Sequence, residues 1–174
     1  GGLISLGTLL KNSDLSIQAV FVSAVPLELV IPVPKVKGTF AKWTEPILGR
    51  VKLWNELDAK LVSRDMDVVE YYSKNPLNHK FITPRFFVHF MRSMAEVRNH
   101  RGPFAYNLAM GVPLADRIVS WKAQTDFFKH LKMSPGPPAK IKELILFPGY
   151  HHEIFNDLGK ERPFVALENW FSRF

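Results

Sequence analysis

Two side chains, Asp116 and His152, have the types and the placement needed for acid–base chemistry. Each follows an apolar run that is typical of a buried strand, 104–111 for the acid and 141–147 for the histidine. An imidazole can exchange a proton near neutral pH. A carboxylate beside it can accept its N–H, fix its tautomer and stabilise the imidazolium that forms. We therefore interpret His152 as a general base and Asp116 as the acid that orients it. The neighbouring His151 is the competing histidine, and we expect it to pack nearby or to support the site indirectly.

The predicted elements around these two residues alternate between helices and strands. Apolar periodicity and turn signals predict, in chain order, a helix at 3–11, a strand at 17–24, helical pieces at 48–63, 67–72 and 83–98, a strand at 104–111, a helix at 120–132, a strand at 141–147 and a last helix from 162. Such alternation predicts an α/β fold with a parallel sheet. Because ligands bind at the carboxyl ends of parallel strands, Asp116 and His152 are expected at the same edge of the sheet.

The stretch 26–103 differs in character from the rest of the chain, because prolines recur along it with the helical pieces between them. We interpret it as a helical insertion between two strands. Residues 1–25 and 104–174 then form the core of the fold. In the last helix, one stripe is expected to be buried and consists of Phe164, Leu167, Trp170 and Phe171.

The composition limits the classes of function. There is no cysteine, which excludes disulfides, thiolate metal sites and cysteine nucleophiles and fits a reducing compartment. His151, His152 and Glu153 are consecutive and cannot converge on a metal ion, so no metal or other cofactor is expected. The net charge of +7 could attract the chain to anionic lipid surfaces, whereas no signature of nucleic-acid binding is present. No apolar run is long enough for a membrane span, and we expect a cytoplasmic protein, open to peripheral membrane contact.

Three segments of the chain resemble a known family. They are 115–120 (Ala-Asp-Arg-Ile-Val-Ser), 147–157 (Phe-Pro-Gly-Tyr-His-His-Glu-Ile-Phe-Asn-Asp) and 166–171 (Ala-Leu-Glu-Asn-Trp-Phe). They look like the C-terminal half of an α/β-hydrolase of the monoacylglycerol lipase and lysophospholipase type, also called the serine aminopeptidase S33 or hydrolase-4 type. The resemblance implies a parallel sheet flanked by helices, with Asp116 and His152 as two members of a catalytic triad.

The resemblance extends to the lid, the substrate contacts and the nucleophile. It implies that residues 26–103 form a lid and that Ile118 and Val119, which follow the acid, contact the substrate. In this family the nucleophile lies in a Gly-x-Ser-x-Gly-Gly motif at a strand-to-helix turn. Gly1-Gly2 resembles the end of that nucleophile elbow, so the serine is expected two residues before Gly1, in an N-terminal hydrolase segment.

We therefore expect a serine ester hydrolase that acts on a lipid-like ester, such as a monoacylglycerol or a lysophospholipid, and that is inactive without the N-terminal segment. Three alternatives remain open. Asp126, inside the predicted helix at 120–132, could be the acid instead of Asp116. The nucleophile before Gly1 could be an aspartate, as in dehalogenases and epoxide hydrolases. The chain could also be a non-catalytic basic module that binds lipid or protein and retains a hydrolase-like fold.

Overall fold

A computed structural model describes residues 1–31, 50–54, 57–78, 80–136 and 138–174. The described helices are α1 (Gly2–Lys11), α2 (Met66–Lys74), α3 (Pro84–Arg98), α4 (Trp121–His130) and α5 (Glu161–Phe171), and two 3₁₀ turns cover Ala59–Leu61 and Ile154–Asn156. The strands are β1 (Ala19–Ser23), β2 (Leu53–Trp54), β3 (Phe81–Ile82), β4 (Pro103–Phe104), β5 (Asn107–Pro113), β6 (Lys132–Met133) and β7 (Lys142–Phe147). None of these helices is long and apolar enough to cross a bilayer.

Three parallel strands form the central sheet in the order β1-β5-β7. Every residue of the middle strand β5 is buried, which is typical of a strand covered on both faces. A Cβ on Gly111 would lie only 3.1 Å from Ile154, 3.2 Å from Phe147 and 3.3 Å from Phe21, so the packing there favours glycine. The three parallel strands, with helices between them along the chain, confirm the predicted α/β fold with a parallel sheet.

Two of the predicted helices, α3 and α4, begin at side chains that cap them. The Ser120 hydroxyl accepts the Ala123 amide at 3.2 Å and starts α4. Thr83 accepts the Phe86 amide at 3.2 Å, with Pro84 at the first position of α3. These side chains satisfy amides that the first turn of a helix leaves unpaired.

The core lies between the sheet and the helices that cover it. Its buried cluster includes Leu3, Leu6, Leu9, Val22, Met94, Val97, Leu108, Met110, Ala123 and Phe127. Met94 and Val97 come from α3, so this helix of the predicted insertion packs into the same cluster as α1. The assignment of 26–103 to a lid stays a prediction.

The helix predicted over 48–63 is wrong in its described part. Leu53 and Trp54 form a strand that pairs antiparallel with β3, and only Ala59–Leu61 is helical, as a 3₁₀ turn. The Trp54 ring packs edge-to-face on Phe81 with ring centroids 5.4 Å apart. Such a cross-strand aromatic pair stabilises extended backbone, whereas the apolar spacing alone is ambiguous. Positions 48, 49, 55 and 56 lie outside the described residues.

The buried stripe predicted for the last helix is only partly correct. Trp170 is buried, but Phe164 is 49% exposed and Phe171 is 45% exposed. The Phe164 ring still contacts Phe155 at 5.1 Å between centroids. Within the described chain, α5 therefore buries a narrower face than its apolar pattern suggests.

Candidate active site

The two loops that carry Asp116 and His152 start side by side. Strands β5 and β7 end at Pro113 and Phe147, and these two residues are partners in the sheet register. The Leu114 amide donates to the Phe147 carbonyl at 3.0 Å just beyond the strands. The carboxyl edge of the sheet thus brings the two loops together, because adjacent parallel strands end in the same direction.

Asp116 is buried, and both of its carboxylate oxygens are hydrogen-bonded. Oδ1 accepts the backbone amides of Ile118 at 2.7 Å and Val119 at 3.1 Å. Oδ2 lies 2.8 Å from His152 Nδ1. The two amides fix the carboxylate, so the carboxylate can in turn fix the imidazole ring and its tautomer.

His152 stands on a turn in which Gly149 adopts a left-handed φ of +79°, a conformation that glycine reaches without strain. Its side chain is 26% exposed, whereas the Asp116 side chain is fully buried. With Nδ1 facing the carboxylate, Nε2 is the nitrogen left to exchange a proton with a reacting group. The neighbouring His151 does not contact Asp116 in this way, and its Nδ1 is buried without a hydrogen-bond partner among the described residues.

The alternative acid, Asp126, is in a different environment. It lies on α4 with a side chain that is 66% exposed, and its carboxylate is 3.5 Å from Nδ1 of His130. This is an i, i+4 pair on a helix surface, where solvent weakens the interaction. The geometry therefore favours Asp116 as the partner of His152.

Ile118 and Val119 contribute to the site through their backbone. Their side chains are buried in a cluster with Val62, against partly buried residues that include Leu29 and Tyr72. Leu29 and Val119 also form an isolated antiparallel bridge that attaches this loop to the segment after β1. The predicted contact of Ile118 and Val119 with a substrate stays a prediction.

Gly1 and Gly2 lie at the start of α1, with Gly1 as its N-cap. A Cβ on Gly2 would lie 3.0 Å from Val25 Cγ2 and 3.4 Å from the Ser23 carbonyl oxygen. Since Ser23 ends β1, the helix begins tightly against the carboxyl end of that strand. The loops that follow β5 and β7 begin at this same edge of the sheet.

Asp157 is the polar residue that sequence reasoning missed. It is buried and accepts the Arg64 amide at 2.7 Å, the Arg64 Nε–H at 2.9 Å and the His151 amide at 2.7 Å. Burial alone would raise the pKa of this carboxyl, but the hydrogen bonds from Arg64 and His151 hold its pKa below the ordinary value. Asp157 lies in the family-like segment 147–157, and this was the sequence signal that could have identified it. No sequence pattern indicated that Arg64, 93 residues away, would be its partner.

An electrostatic interaction also acts between the insertion and this loop. Burial and the negative charge of Glu153 raise the pKa of Tyr72, which lies on α2.

Across the described ranges, no three histidine or acidic side chains lie close enough together to hold a metal ion.

Comparisons with known proteins identify the class of fold. The chain superposes on Paleococcus ferrophilus monoacylglycerol lipase with a TM-score of 0.87 and 27% identity, covering 98% of this chain and 64% of that one. It superposes on a soluble variant of Saccharomyces cerevisiae monoglyceride lipase with a TM-score of 0.82 and 20% identity, covering 99% and 59%. An uncharacterised abhydrolase domain-containing protein of Dictyostelium discoideum is 24% identical over 173 residues, which are 98% of this chain and 18% of that protein. The parallel sheet and its helices are those of an α/β-hydrolase.

The family follows from a second comparison. The family model described as serine aminopeptidase, S33 (hydrolase-4) matches residues 1–159, and the chain belongs to that family. The resemblance inferred from the three sequence segments is therefore confirmed. The chain spans less than two thirds of the length of each of these relatives.

Proposed function

We propose that the chain is part of a serine ester hydrolase, in which Asp116 and His152 complete a catalytic triad with a serine that precedes Gly1. The observation that carries this proposal is the buried hydrogen bond of 2.8 Å between Asp116 Oδ2 and His152 Nδ1. Membership of the hydrolase family supports the same conclusion.

The pair can perform both halves of ester hydrolysis. His152 Nε2 takes the proton of the serine hydroxyl while the serine oxygen bonds to the ester carbonyl carbon, and Asp116 stabilises the imidazolium. The tetrahedral intermediate then expels the alcohol, which receives that proton from Nε2. Water then reacts with the acyl-enzyme: Nε2 accepts a proton from water while the water oxygen bonds to the acyl carbon. The bond between that carbon and the serine oxygen breaks, the acid is released, and the serine oxygen receives the proton from Nε2.

The geometry around Gly2 supports the proposed position of the serine. Its close approach to Val25 and Ser23 suits a tight turn that leads into α1 at the carboxyl edge of the sheet. Amides at the start of a helix point toward that edge and can stabilise an oxyanion. We assign one oxyanion donor to the backbone N–H of the residue just before Gly1, and the rest of the site to the N-terminal hydrolase segment.

For the substrate we propose a monoacylglycerol or a lysophospholipid. The support is the 27% identity with a monoacylglycerol lipase over 98% of this chain. A panel of monoacylglycerols, lysophospholipids and short water-soluble esters distinguishes these classes by their kcat/KM values. A strong preference for short esters would contradict the assignment.

Covalent labelling with a fluorophosphonate tests the triad. The experiment uses the protein together with the proposed N-terminal segment, and peptide mapping locates the label. We expect a modified serine upstream of Gly1 and loss of labelling in His152→Ala, whereas His130→Ala, on the surface of α4, should label normally. A label on any residue from 1 to 174, or unchanged labelling of His152→Ala, would contradict the proposal.

We further propose that β2 and β3 touch an anionic membrane surface. Trp54 is 58% exposed and Phe81 is 49% exposed. Lys52 lies two residues before Trp54, and Lys80 lies directly before Phe81. Exposed aromatic rings beside basic side chains suit the interface of an anionic bilayer.

Sedimentation with vesicles tests this contact. The protein should bind phosphatidylserine-containing vesicles more strongly than neutral ones, and the double variant Trp54→Ser, Phe81→Ser should bind less. Trp121→Ser, which removes an exposed tryptophan beside Lys122 on α4, is the matched control. Equal binding by wild type and the double variant would contradict the contact.

A further inference from the structure

The predicted insertion holds the backbone on both sides of His152. The His151 amide donates to Asp157 Oδ2 at 2.7 Å, and the Glu153 amide donates to the Val62 carbonyl at 3.0 Å. The peptide groups Tyr150–His151 and His152–Glu153, one on each side of the histidine, are therefore both held. This restraint on the backbone also limits the direction in which the His152 side chain points.

Both restraints lead to the segment Val62–Arg64. Val62 accepts directly, while Asp157 is held by the Arg64 amide at 2.7 Å and by Arg64 Nε–H at 2.9 Å. The Ser63 hydroxyl donates to the Asn156 carbonyl at 2.8 Å in the same loop. A buried carboxylate is stable only when it is paired and hydrogen-bonded, so Asp157 keeps this loop and the insertion together.

Arg64 also packs against the turn that precedes the histidine. Its Nη2 donates to the Leu158 carbonyl at 2.6 Å, and its guanidinium carbon lies 5.1 Å from the centroid of the Tyr150 ring. The Tyr150 hydroxyl donates to the Gly159 carbonyl at 2.6 Å. A single arginine of the insertion thus contacts the loop before and after His152.

We propose that Asp157 and Arg64 are positioning residues that orient His152 for proton transfer. The proposal rests on the proposed function, in which His152 is the base. A general base must lie within hydrogen-bond reach of its nucleophile, and a misplacement of about 1 Å can lower a rate by about 100-fold. Asp157 acts through the His151 amide, and Arg64 acts through Asp157. The insertion therefore governs the geometry of the base as well as any access to the site.

A spectroscopic signature tests this independently of catalysis. In the protein with its N-terminal segment and ¹⁵N-labelled histidine, the proton shared between His152 Nδ1 and Asp116 should give a far-downfield NMR resonance, assigned by its loss in His152→Ala. We expect this resonance to broaden or disappear in Asp157→Asn and Arg64→Met. An unchanged resonance in both folded variants would overturn the proposal. If Asp157→Asn does not fold, Arg64→Met carries the same test, because its side chain is partly exposed.

Kinetics provide the second readout. Both variants should lower kcat by about 10- to 100-fold with KM within about twofold, because substrate contacts are intact while the base is misplaced. Arg64→Lys should recover part of kcat. Glu143→Gln, which breaks the ion pair between Glu143 on β7 and Arg173, controls for the loss of an ion pair elsewhere. A KM increase with unchanged kcat would overturn the proposal.

The two hypotheses fail in different ways. If wild-type protein neither hydrolyses esters nor reacts with the fluorophosphonate, the proposed function fails and the NMR resonance still tests the positioning. If the wild type is active, His152→Ala is inactive and Asp157→Asn resembles the wild type in kcat and in the resonance, only the positioning role fails.

Discussion

Asparagine at position 116 separates the proposed catalytic role of Asp116 from its structural role. In Asp116→Asn, the side-chain oxygen can keep both amide hydrogen bonds, from Ile118 at 2.7 Å and from Val119 at 3.1 Å. The amide nitrogen then takes the place of Oδ2, which lies 2.8 Å from His152 Nδ1. An N–H donor there requires Nδ1 to accept a hydrogen bond, so the ring proton moves to Nε2.

The expected loss is large because the histidine is then in the wrong tautomer. An Nε2 that already carries the proton cannot take one from the serine, and the same exchange in a Ser-His-Asp triad lowers kcat by about 10⁴-fold. This corresponds to about 5.5 kcal/mol of transition-state stabilisation. Folding should change little, because the two backbone hydrogen bonds remain.

The assay is ester hydrolysis by the protein together with the proposed N-terminal segment, and thermal unfolding verifies the fold. Asp126→Asn is the matched control, since it makes the same chemical change at an exposed acid on α4 and should retain full activity. If Asp116→Asn kept about a tenth of wild-type kcat or more, or if Asp126→Asn lost more activity, the assignment of the acid would be wrong.

Three further predictions concern stability, measured as the free energy of unfolding in urea. The pKa of Asp157 is lowered in the folded protein, so its stabilisation is complete above the ordinary carboxyl pKa and is lost as pH falls through the lowered value. Ala24 has a left-handed φ of +47°, and Ala24→Gly should leave stability unchanged or raise it by up to about 1 kcal/mol, because relief of strain exceeds the extra entropy of glycine. Ser120→Ala should lower stability by about 1 kcal/mol, because the Ala123 amide loses its acceptor.

Each stability prediction has a control. Between about pH 6 and about pH 3, Asp157→Asn should show a shallower loss of stability than wild type, and parallel curves would contradict the role of that carboxylate. Ala24→Val should be destabilising, since a β-branched residue tolerates this backbone poorly, and a neutral result would argue against strain. Ser172→Ala removes an exposed hydroxyl at the end of α5 and should change stability far less than Ser120→Ala.

Local patterns predicted the features of this protein that depend on short stretches of chain. The starts of α3 and α4 are such features, because a capping residue and the amide from which it accepts a hydrogen bond lie within one turn. The strands that precede Asp116 and His152 were predicted from short apolar runs. Their meeting at one edge followed from a general property of parallel sheets, and the structure brings the two side chains to 2.8 Å.

Contacts between distant parts of the chain decided the rest. Trp54 lies in a strand because its partner is Phe81, and the apolar spacing around it was equally compatible with a helix. Phe164 is exposed on α5 although its pattern indicated burial, because burial depends on which elements pack against a helix.

Asp157 shows this division most clearly. By itself, the sequence determined that two acids and a histidine occupy segments after strands, because those positions depend on local chain signals. Only the tertiary structure decided that Asp116 contacts the histidine while Asp157 holds the loop to Arg64, 93 residues away. The physical reason is that hydrogen bonds between distant segments exist only after the chain has folded and leave no periodic signal in the sequence.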